Sequence, residues 1–135
     1  MKYRFIEALN TFLSYEGRQD LINSQLDCHS TIQLELNESP PINVDLASDD
    51  VILWSNLYEY HAAGFDTKSG SLLSELLSYT PRNFQIGQPA LNITNNTFVL
   101  SAVMPEAAMN DPQLFSASLE EFYERSHQLM TLLIA

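Results

Sequence analysis

The sequence predicts an α+β fold, an antiparallel sheet with three helices in the order α-β-β-β-α-β-β-α. Three observations carry this expectation. Both ends of the chain place apolar residues at helical spacing. From Ile32 onward the apolar period switches to two. Further along, Asn95-Asn96 separates two more apolar runs in the manner of a hairpin turn.

Taken in order, residues 3–16 space Phe5, Ile6, Leu9, Phe12 and Leu13 helically, with Arg4, Glu7, Asn10 and Thr11 between them. This is an amphipathic helix, and Gly17 is its stop. Residues 18–30 are polar and mixed, and read as a connection. Ile32, Leu34 and Leu36 then alternate with Gln33 and Glu35, a strand ended at NESPP because Pro40 and Pro41 cannot donate to a ladder. Ile42, Val44 and Leu46 alternate with Asn43 and Asp45, and Ser48-Asp49-Asp50 turns the chain. Val51 to Trp54 is apolar at every position, which predicts a strand covered on both sides. These three strands form an antiparallel meander. Residues 59–68 are loop-like.

Ser69 to Tyr79 predicts the middle helix, ended before Pro81. Its Leu72, Leu73, Leu76 and Leu77 spread over about 140 degrees, wider than a single seam requires. Leu91 and Ile93 precede the Asn95-Asn96 turn, and TFVLSAVM after it is again apolar on both faces. Asp111-Pro112 opens the last helix, with an N-cap acid followed by proline at the first helical position. Phe115, Leu119, Phe122, Leu129 and Leu133 line one face of it.

At 135 residues the chain reads as one domain over positions 1–135. A domain of this size buries roughly two thirds of its unfolded surface and needs no staples. The 17 acidic residues against 6 basic ones, a net charge of -11, argue against nucleic acid and anionic membrane surfaces as partners. A basic or amphipathic protein suits this field better. A single cysteine excludes an internal disulfide. The opening MKYRFIEALNTFL does not read as a signal peptide, because Glu7, Asn10 and Thr11 break the apolar run. No run is long enough for a membrane-spanning helix, so no membrane insertion is expected and the cytoplasm is the expected location.

The groups able to do chemistry are sparse. In DCHSTIQLEL the lone Cys28 adjoins His29, yet neighbouring residues of an extended chain point to opposite faces. A cysteine nucleophile needs a base within hydrogen-bond reach and a third group to orient it. The cysteine and three histidines show no zinc-ligand spacing. Ser30 and Thr31 read as hydroxyls that bond free backbone groups at a strand entry. Glu120 and Glu121 fall on the polar side of the last helix, and Asp49 and Asp50 in a turn, all solvated rather than paired for acid–base work. No glycine-rich phosphate loop is present. The expectation is no catalytic residue, no metal and no cofactor. What stands out is surplus apolar area, which marks an interface, together with an edge strand able to accept an incoming chain.

The run DCHSTIQLEL, the turn SDDV leading into ILW, and the C-terminal FSASLEEFY resemble the type III secretion chaperones, specifically the class IB invasion group of InvB/SpaK type. The resemblance implies an α+β homodimer in the bacterial cytoplasm. It implies binding to N-terminal segments of one or more secreted effectors, which wrap the dimer in extended form and stay competent for export. It also implies presentation to the export apparatus, and no nucleotide hydrolysis. By the same resemblance, Leu72, Leu73, Leu76 and Leu77 of the middle helix carry the dimer contact. An extended segment needs apolar pockets and backbone pairing. Phe5, Leu9, Phe12 and Leu13 are expected to line such pockets beside Ile32, Leu34, Leu36 and Val44, while those on one face of the meander form the core. Two other classes stay open: an adaptor or regulator that binds a folded partner, and a small enzyme using Cys28.

Overall fold

A computed structural model of the chain describes residues 2–15, 32–36 and 39–135. Helix α1 spans Lys2–Tyr15, followed by strands β1 (Ile32–Leu36), β2 (Ser39–Asp45) and β3 (Ile52–Glu59). A short helix α2 (Ala62–Asp66) and helix α3 (Ser69–Ser78) lead to β4 (Ala90–Thr94) and β5 (Thr97–Val103). A 3-10 turn (Glu106–Asn110) precedes the long α4 (Pro112–Ile134). The expected α+β architecture is present. The structure adds α2 where a loop was expected, and extends β3 from the expected Trp54 to Glu59.

All five strands join one sheet in the order β1-β2-β3-β5-β4, with every neighbouring pair antiparallel. β3 runs on past Trp54 because β5 pairs with it along its whole length, from Ile52 opposite Val103 to Glu59 opposite Thr97, with a bulge between Asn56 and Tyr58. The β4–β5 hairpin turns at Asn95 and Asn96, both at positive φ (51° and 58°). Two consecutive left-handed residues match the twist of the flanking strands, and asparagine tolerates that region better than most side chains.

One face of the sheet is the core. Val44, Leu53, Leu57, Phe98, Leu100 and Ala102 are buried under Phe5 and Leu9 of α1 and Phe115, Phe122 and Leu129 of α4. The Phe115 ring lies 5.6 Å from Phe5 and 5.9 Å from Phe12, which ties the two helices together. The polar Ser55 in the same buried row donates to the Pro41 carbonyl at 2.9 Å, so its burial leaves no orphan hydroxyl.

The other face departs from expectation. The sequence predicts β3 to be covered on both sides, and β5 to be apolar on both faces. Ile52, Trp54, Val99 and Val103 alternate away from the core, remain half-buried and lie outside the core cluster. An apolar pattern on two faces reports that both avoid water, and does not say what covers the second one.

Helix α2 owes its existence to tertiary packing. It has one apolar anchor, Phe65, whose ring meets Tyr60 at 5.6 Å and Phe98 at 5.9 Å. Helix α4 starts as its sequence dictates. The Asp111 carboxylate accepts from the Gln113 amide (3.0 Å) and the Leu114 amide (3.3 Å), with Pro112 following. Asp111→Ala is therefore expected to cost about 1 kcal/mol, readable as a lowered denaturation midpoint, while Asp111→Asn should restore most of it.

Candidate functional site

The residues expected to grip a partner separate into two sets. Phe5 and Val44 are fully buried, and Leu9 and Ile32 are 3% and 7% exposed, so these four build the core beneath any binding surface. Phe12, Leu13 and Leu34 are half-buried at its margin, where part of each side chain remains accessible. The Leu36 side chain lies outside the described residues, as do Cys28, His29, Ser30 and Thr31. The division runs along each element rather than around it: Ile32, Leu34 and Val44 share one face of the meander, and Leu13 lies in angle between the buried Leu9 and Ile6 of α1, so Leu34, Phe12 and Leu13 are half-buried because they sit toward the margin of the core.

Beside Phe12 the surface opens into a groove of about 640 Å³ between α1 and the start of α4. Phe12, Pro112 and Ala117 supply apolar walls, and Asp111 and Glu120 stand among the polar ones. Strand β1 forms one edge of the sheet. A groove with an apolar wall and a sheet edge are the two features an extended chain uses, pockets for side chains and free backbone groups for its amides.

The leucine quartet of α3 also divides. Leu72 is buried (4% exposed) and Leu76 packs half-buried against the core. Leu73 and Leu77 are 56% and 78% exposed and sit one turn apart on the outer ridge.

Behind this ridge lies a polar cluster that the sequence reading missed. Glu121 was placed on the solvated side of α4 beside Glu120. Glu120 is exposed, but Glu121 is completely buried. Its carboxylate accepts from the Tyr79 hydroxyl, the Arg82 amide (3.0 Å), the Asn83 amide (2.8 Å) and Asn83 Nδ2 (2.9 Å). One turn on, the buried Arg125 donates to Glu75 Oε1 at 2.6 Å and to the Glu75 carbonyl at 3.4 Å, and its guanidinium lies 3.9 Å over the Tyr79 ring. Burial alone would push the Glu121 carboxyl up, but the hydrogen bonds it accepts together outweigh that and hold it below its usual range. Burial, then donation to Glu121, raises the Tyr79 phenol. A sequence signal did exist: Ser118, Glu121 and Arg125 continue the three-and-four spacing of a buried stripe.

Among the described residues no group of three or more His, Cys, Asp or Glu is placed to hold a metal ion, and no helix is long and apolar enough to cross a membrane.

Comparison with known proteins adds an independent line. The family model described as Invasion protein B family (Invas_SpaK) matches residues 17–95, more than half of the 135-residue chain. The Surface presentation of antigens protein SpaK of Salmonella typhimurium is 26% identical over 119 residues, 87% of this chain and 86% of that protein. Its counterpart in Salmonella typhi matches to the same extent. Among solved structures, a chain in the heterodimeric complex ExoU-SpcU from the type III secretion system of Pseudomonas aeruginosa superposes with a TM-score of 0.62 at 16% identity. That match covers 92% of this chain and 96% of the other, a likeness of fold.

Proposed function

The chain belongs to the Invasion protein B family, and on that premise we propose that it is a cytoplasmic chaperone of bacterial type III secretion. In this reading it binds the N-terminal segment of one or more effectors in extended form and keeps them stable and competent for export, without catalysis and without a cofactor. The family match carries the proposal. The half-buried rim of Phe12, Leu13 and Leu34, the groove beside Phe12 and the edge position of β1 support it. The charge of -11 suits a cargo segment with basic as well as apolar residues, and repels acidic competitors.

The protein works as a homodimer in this reading, through the exposed Leu73 and Leu77 of α3, and the loaded dimer is what the export apparatus receives. Leu77→Asp is expected to weaken self-association by about 2 kcal/mol or more. Because Leu77 is largely exposed, the same change should leave the fold within about 0.5 kcal/mol of wild type. Sedimentation over a concentration series, with a thermal melt of the same samples, separates the two effects.

The deciding experiment is capture of partners by tagged protein in the native bacterium, followed by limited proteolysis and mass spectrometry. A larger protein shielded only near its N-terminus supports the chaperone reading and names the cargo. Partners that stay globular, with no shielded segment, would replace it with an adaptor. Loss of a turnover activity in Cys28→Ala would replace it with an enzyme.

A further inference from the structure

Helix α3 is poorly anchored by apolar contact. Of its ten residues only Leu72 is buried. An isolated helix of this length does not hold itself together in water. Its position is set instead by α4, at three points along its length. At its start, Lys68 Nζ donates to the Leu133 carbonyl near the α4 C-terminus. Near its middle, Glu75 is gripped by Arg125. Just beyond its end, Tyr79, Arg82 and Asn83 converge on Glu121. The positions ascend along α3 as they descend along α4, so the two helices run antiparallel with matched spacing.

Such a clamp does something apolar packing does not. Leucine-on-leucine contact tolerates sliding and rotation, whereas directional bonds to one carboxylate and one guanidinium fix both. The side chains at 121 and 125 face α3 and its following segment from beneath, while Leu73 and Leu77 point outward.

We propose that Glu121 and Arg125 are positioning residues for self-association: they clamp α3 in register against α4 and so present Leu73 and Leu77 as a rigid docking ridge for a second copy of this chain. This rests on the reading of α3 as the self-association face. Neither residue touches the second copy. Their effect passes through the orientation of the helix above them.

The test uses the full chain with Tyr79→Phe, Glu121→Gln and Leu77→Asp. Amide exchange is read over residues 69–84 and separately over β3 and β5, and self-association by sedimentation. Tyr79→Phe removes one bond and keeps the ring under Arg125, so it remains folded even if Glu121→Gln does not. The expected result, in both clamp variants, is exchange over residues 69–84 that is faster by at least about tenfold beyond any rise over β3 and β5, together with about tenfold weaker self-association. A rise over residues 69–84 no larger than the rise over β3 and β5 would show a merely structural role and overturn the proposal. So would unchanged association in clamp variants whose exchange has risen. If Leu77→Asp leaves association intact, the assignment of the face itself fails. Local exchange over 69–84 still reports whether the clamp exists, and the two failures are thereby told apart. A wild-type chain that stays monomeric at every concentration also overturns the proposal.

Discussion

Glu121→Ala is expected to destabilise the protein by about 2–3 kcal/mol, while Glu120→Ala, one position earlier, should stay within about 0.5 kcal/mol of wild type. The contrast follows from what each side chain touches. Glu120 is exposed. Removing Glu121 strands the Tyr79 hydroxyl, two backbone amides and the Asn83 side-chain amide, all partners of one fully buried carboxylate. Stranded buried donors cost more than the bonds themselves contribute. The same site predicts a pH dependence. The folded carboxyl titrates below the ordinary glutamate range, held there by the Tyr79, Arg82 and Asn83 donors. Its contribution is therefore complete above that range and is lost as pH falls through the lower, folded pKa. Urea denaturation of wild type and Glu121→Gln between about pH 7 and about pH 3 checks this. The stability difference should shrink on the acid side. A difference that stays constant or widens there would mean the carboxylate is not held by these donors.

Much of the fold is readable in the sequence where a local rule suffices. Asp111-Pro112 starts α4 because an acid and a proline suit the first turn of any helix. Asn95-Asn96 makes the hairpin because the turn demands two left-handed residues. Features set by distant partners are not readable in this way. Helix α2 exists because Phe65 meets Tyr60 and Phe98. The second half of β3 contains Ser55 and Asn56, polar residues that hide a strand until β5 is laid beside it. Glu121 looks solvated until Tyr79, Arg82 and Asn83 arrive from some forty positions away. The candidate surface was legible by residue type and only partly by orientation. Helical and strand periods identify which residues share a face, but not which of two apolar faces meets the core. That is why Leu72 and Leu77, at the two edges of one stripe, group together in the sequence and are separated by the structure, whereas Leu9 and Phe12 share a face and differ only in how far along the helix they lie from the centre of the core.

Helix α1 offers the sharpest separation of core from grip. Leu9→Asp is expected to cost more than about 4 kcal/mol, since it places a carboxylate with no opposite charge where a leucine is only 3% exposed. Against a typical total of about 5–15 kcal/mol, that removes a large share of the stability, and any loss of partner binding tracks the fraction unfolded. The double truncation Phe12→Ala with Leu13→Ala acts on half-buried side chains three and four residues further along. It should cost no more than about 2–3 kcal/mol of stability, and leave a cooperative melt. If the rim grips cargo, it should nevertheless reduce effector capture by more than about tenfold, the size of effect that anchoring apolar side chains produce at an interface. Thermal melts and capture efficiency measured on the same preparations decide the point. Undiminished capture by folded Phe12→Ala/Leu13→Ala protein would remove the α1 rim from the binding surface. Backbone pairing along β1, the edge strand among the described residues, would then be the remaining candidate for the grip, and no side-chain truncation on α1 would touch it.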